Sequence, residues 1–72
     1  MTNEKLKRRK LGFAILQARA KKNMTQQELA DLCKVGRITI IRIESGNLIT
    51  KPRDTTIIKI CEVLGIDAEK WI

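Results

Sequence analysis

The chain has 72 residues, a net charge of +7 and a 43% hydrophobic composition with one Phe, one Trp and no Tyr. That length predicts one domain with a small, aliphatic core. No run of about 18 apolar residues occurs, so neither a membrane span nor a secretory leader is expected, and the chain is read as cytosolic. Two cysteines with no histidine and no Cys-x-x-Cys spacing argue against a disulfide framework, a metal centre and a thiol nucleophile with its base. Cys33 and Cys61 are read as buried, reduced thiols, and no other catalytic constellation is present.

The charge is unevenly placed. Lys5, Lys7, Arg8, Arg9, Lys10, Arg19, Lys21 and Lys22 face only Glu4 over residues 1–22, whereas basic and acidic groups balance over residues 23–72. A basic segment of this kind suits attraction to phosphate. Thr2 or Asn3 would cap a helix beginning near Glu4 and running to about Lys22, with Ile15 and Ala18 inward.

Residues 24–46 read MTQQELADLCKVGRITIIRIESG. Thr25 and Glu28 have the spacing of a capping box, in which each side chain satisfies the other residue's backbone N–H. The spacing predicts a helix over 26–33 with Leu29, Leu32 and Cys33 as an apolar stripe. Lys34-Val35-Gly36 breaks it. A second helix over 37–45 follows, with Ile40 and Ile43 spaced for a core and Gly46 as its stop. Two short helices joined by about three residues form a helix-turn-helix, whose second helix is shaped to enter a DNA major groove. Residues 47–53 are expected as a loop. Asp54 is read as the cap of a fourth helix ending at Leu64 before Gly65, and Asp67 as the cap of a last short helix holding Trp71.

Residues 29–47, LADLCKVGRITIIRIESGN, resemble the phage repressor/Cro-type helix-turn-helix family, often called XRE-like. Leu11-Gly12, Ile15 and Arg19 upstream, and Pro52, Ile57, Ile60, Leu64-Gly65-Ile66 and Trp71 downstream, follow the same frame. The resemblance implies an all-α, five-helix, lambda-repressor-like domain over residues 11–72, preceded by a basic extension at residues 1–10. Its expected core is Ile15, Ala18, Leu29, Leu32, Val35, Ile40, Ile43, Ile57, Ile60 and Leu64. It also implies an ion pair between Arg19 and Glu44, and no cofactor.

At about 100° per residue, Ile40 and Ile43 point to one side of the second helix of the motif, and Ile38, Ile41 and Arg42 to the other, with Arg37 at its edge. The resemblance places base-edge contacts at Arg37, Ile38 and Arg42 with Ile41 beside them, and a phosphate contact at Gln26. Lys51, Arg53 and the basic extension would hold further phosphates. Arginine suits guanine, whose O6 and N7 accept from both arms of the guanidinium, whereas isoleucine suits thymine methyls.

Several residues depart from the family's pattern. Ile38 and Ile41 stand where polar residues are common, Phe13 and Leu16 at positions usually solvent-facing and polar. Gly36 stands in place of a hydroxyl cap, and Lys34 in place of a turn glycine. The expected function is a sequence-specific DNA-binding regulator, phage or bacterial, acting on operator DNA as a homodimer. The rival expectation is a module that binds a cognate repressor's DNA-binding domain through Phe13, Leu16, Ile38, Ile41 or Trp71.

Overall fold

The computed structural model describes residues 3–46 and 51–72. Thr2 as a helix cap and residues 47–50 of the expected loop lie outside the described residues. Helices α1 (Asn3–Lys21), α2 (Gln26–Cys33), α3 (Arg37–Ser45) and α4 (Asp54–Leu64) are followed by a 3-10 turn, Ala68–Lys70. The described residues contain no strand. None of their helices is long and apolar enough to cross a membrane. The fold is all-α as expected, but the fifth helix is a single 3-10 turn. Asp67 caps it by accepting from the Glu69 N–H at 3.0 Å.

Helix α1 is continuous from Asn3, so residues 3–10 belong to its first turns. Gly12 sits mid-helix because α1 crosses the end of α3 there. A Cβ on it would lie 2.5 Å from the carbonyl oxygens of both Ile43 and Glu44. Backbone meets backbone at this crossing, which only glycine permits.

Local chemistry bounds α2 and α3. The Glu28 N–H donates to Thr25 Oγ1 and the Thr25 N–H to Glu28 Oε1, each at 3.0 Å, completing the capping box. Lys34 ends α2 at φ +57°, a left-handed conformation unusual for a side chain with a Cβ. Gly36 precedes α3 with no side-chain hydrogen bond, and Gly46 ends it at φ +68°. Helix α4 departs from expectation at its start. Arg53 occupies the cap position, Asp54 is the first helical residue, and no side chain caps the end. The Asp54 carboxylate instead pairs with Lys51 at 3.0 Å.

The core gathers Leu11, Ile15, Leu29, Ala30, Cys33, Ile40, Ile43, Ile57, Ile60, Cys61 and Leu64, all buried, with Ala18, Val35 and Trp71 packed against it in part. Leu32 is a correction: it is 56% exposed. On α2 the buried Leu29, Cys33 and Ala30 span an arc of about 100°, and Leu32 falls about 60° outside it. The inward stripe therefore runs through Ala30. Helices α1 and α2 each pack chiefly against α3 and α4, so α3 is held from both sides.

Candidate nucleic-acid interface

The orientation of α3 is set by one polar cluster. Arg19 on α1 reaches Glu44 near the end of α3, with Nε donating to Oε2 at 2.7 Å and Nη2 to Oε1 at 3.2 Å. Arg19 Nη1 also donates to the Met24 carbonyl at 2.8 Å. From the start of α2, Gln26 Nε2 donates to Glu44 Oε1 at 3.0 Å. The Arg19 and Glu44 side chains are 15% and 6% exposed. Three helices thus converge on a single, nearly buried carboxylate. A charge so placed is tolerated only because its oxygens are filled by donors, two of them from a guanidinium.

With Ile40 and Ile43 buried and Glu44 tied, the opposite side of α3 is free. Arg37, Ile38, Ile41 and Arg42 are all exposed there, Ile38 at 63% and Ile41 at 37%. Arg42 also lines a shallow groove with Thr39, Lys51, Arg53 and Thr56, formed where α3 meets the start of α4. The groove therefore joins three of the expected cations. Thr39 and Thr56 were not anticipated. Their hydroxyls add uncharged donors of the kind that meet phosphate. Thr39 stands out as a polar residue in an isoleucine-rich helix, but the position of Thr56 depends on tertiary packing.

The other expected residues lie elsewhere. Gln26 is half-buried and turned toward Glu44, although its amide nitrogen retains a second hydrogen for another acceptor. Phe13 and Leu16 are exposed on α1. Trp71 packs partly against the core.

Electrostatic shifts sit outside this face. Glu28 is held below the usual carboxylate range, first by the Thr25 backbone N–H and then by the Thr25 hydroxyl. Burial pushes the Cys33 and Cys61 thiols up. Both cysteines are free and buried, and a buried neutral thiol is a poor nucleophile.

A helix-turn-helix family model matches residues 15–71. No curated protein matches the chain.

Proposed function

The chain belongs to the XRE-like helix-turn-helix family, whose domain is that of DNA-binding transcription regulators, and on that premise we propose that it reads a specific operator through the exposed face of α3. Arg37 and Arg42 engage guanine, and Ile38 and Ile41 pack on thymine methyls. Lys51, Arg53 and the cations in the first turns of α1 hold the phosphate backbone, and the remaining amide hydrogen of Gln26 reaches a further phosphate. Protein of this size makes few contacts alone, so the operative form is a two-fold dimer on a near-palindromic, repressor- or Cro-like site.

The observation that carries this reading is the groove shared by Arg42, Lys51 and Arg53. There Arg42, on a helix whose angle is fixed by Glu44, would read bases, and Lys51 and Arg53, just before α4, would hold phosphate. Selection of bound duplexes from a randomised pool tests it. The reading expects an enriched motif with two related halves, and affinity for it that falls steeply with salt as counterions are released. Uniform recovery of all sequences would overturn it.

A second reading rests on Ile38, which is 63% exposed at the centre of that face. A large apolar side chain there also suits a desolvated protein interface, such as a cognate repressor's DNA-binding domain. Enrichment of no DNA motif, with saturable binding to that repressor, would favour it.

A further inference from the structure

Two exposed helix faces remain that α3 does not use. Helix α1 carries Leu6, Phe13 and Leu16 at 44%, 58% and 40% exposure. Taking Leu6 as the origin at 100° per residue, these lie within an arc of about 80°, roughly opposite the buried Leu11 and Ile15. Lys10 lies about 40° beyond one edge of the stripe, and the helix holds seven basic groups against Glu4 alone. Helix α2 presents the opposite character. Its exposed residues are Gln27, Glu28, Asp31 and the 56% exposed Leu32, and it contains no basic residue. Both carboxylates are already held in place. Glu28 is fixed by Thr25, and Asp31 accepts from Gln27 Nε2 at 2.9 Å.

We propose that the basic, apolar face of α1 docks on the acidic, apolar face of α2 of a second copy of this chain. Phe13 would meet Leu32, with Lys10 set against Glu28 and Asp31. Charge decides the occupant. Pairing two α1 faces would bring two strongly basic surfaces together, whereas α1 on α2 brings opposite signs around an apolar centre. Because the two surfaces differ, the contact is heterologous, and each joined pair retains one unused face of each kind. Copies on neighbouring sites would therefore link in a row, independently of the two-fold pairing proposed above and without help from the recognition face.

Sedimentation equilibrium of the whole chain without DNA tests this at low salt. Wild-type average mass is expected to rise with concentration beyond a dimer and to fall back when salt is added. Phe13→Glu and Leu32→Lys each destroy one face and should each abolish the growth. Both positions are exposed, and matching thermal melts by circular dichroism verify that the variants fold. Mixed in equal amounts, the two variants regain association, because each supplies the face that the other lacks. A concentration-independent mass for the wild type overturns the proposal. So does a mixture no heavier than its components, or growth that survives Leu32→Lys. Association limited to a dimer and lost only in Phe13→Glu would instead assign α1 to a self-paired contact and also refute the proposal.

Discussion

The guanidinium of Arg19 grips both carboxylate oxygens of Glu44, across 25 positions of sequence, at 2.7 and 3.2 Å. The pair ties the end of α1 to the end of α3. Removing Arg19 leaves Glu44 almost buried with Gln26 as its remaining side-chain donor. Arg19→Ala is therefore expected to destabilise the domain by about 3–5 kcal/mol, the range for stranding one partner of a buried pair. Arg19→Met combined with Glu44→Leu should lose clearly less than the sum of the two single changes, by a coupling of about 0.5–3 kcal/mol. Denaturant unfolding of the four proteins measures it, and strict additivity would contradict the role assigned to the pair.

Gly12 and Gly36 should respond in opposite ways. A Cβ at Gly12 meets two carbonyl oxygens at 2.5 Å, while nothing lies within 4 Å of one at Gly36. Gly12→Ala must push α1 off α3 and is expected to cost about 1–3 kcal/mol, the usual penalty of overpacking. Gly36→Ser adds a hydroxyl to an uncapped helix start and should stabilise by about a few tenths of a kcal/mol. Comparing thermal midpoints of the two variants with wild type checks the order.

The two leucines of α2 separate core from surface. Leu29 is fully buried and Leu32 is 56% exposed. Leu29→Ala should cost about 2–5 kcal/mol, whereas Leu32→Ala should stay within about 0.5 kcal/mol. A large loss at Leu32, measured on dilute protein, would restore it to the core.

These contrasts show what was legible in the chain. The Thr25–Glu28 capping box, the stops at Gly46 and Gly65, and the inward Ile40 and Ile43 rest on chemistry within a few residues, and spacing alone revealed them. The Arg19–Glu44 contact was legible only through resemblance, since nothing local joins positions so far apart. Leu32 was misread because it lies three residues after Leu29, a spacing that usually shares a face. On an eight-residue helix the direction of α3 and α4 decides which neighbour turns inward, and it chose Ala30 and Cys33. Asp54 was misread because a short polar residue before an apolar run resembles a cap. Here the helix begins one residue earlier and the carboxylate serves Lys51. The groove containing Thr39 and Thr56 depends on how α3 meets α4, which no single segment encodes.

The Thr25–Glu28 contact gives the start of α2 a pH-dependent stability. The folded Glu28 carboxyl is held below the value of 4.5 usual for the group by two contacts to Thr25. A depressed folded pKa contributes stability above the unfolded value and loses it as pH falls through the folded one. The midpoint difference between wild type and Glu28→Ala should therefore be widest near neutral pH and shrink below the ordinary carboxylate range. An offset constant with pH would mean that the charged capping contact contributes nothing.

The exposed face of α3 carries the central claim, and binding of α3 variants to the selected duplex tests it most directly. Arg42→Ala is expected to weaken binding by about 1–3 kcal/mol and relax preference at one base position, since it removes a bidentate base contact. Ile38→Ser with Ile41→Ser should have the smaller effect on DNA, because a methyl contact is a small term. The reverse order, with Arg42→Ala neutral and the isoleucine changes abolishing binding to a cognate repressor, would contradict DNA reading and assign this face to a protein. Equal affinity of every variant for both ligands would remove α3 from the functional surface altogether.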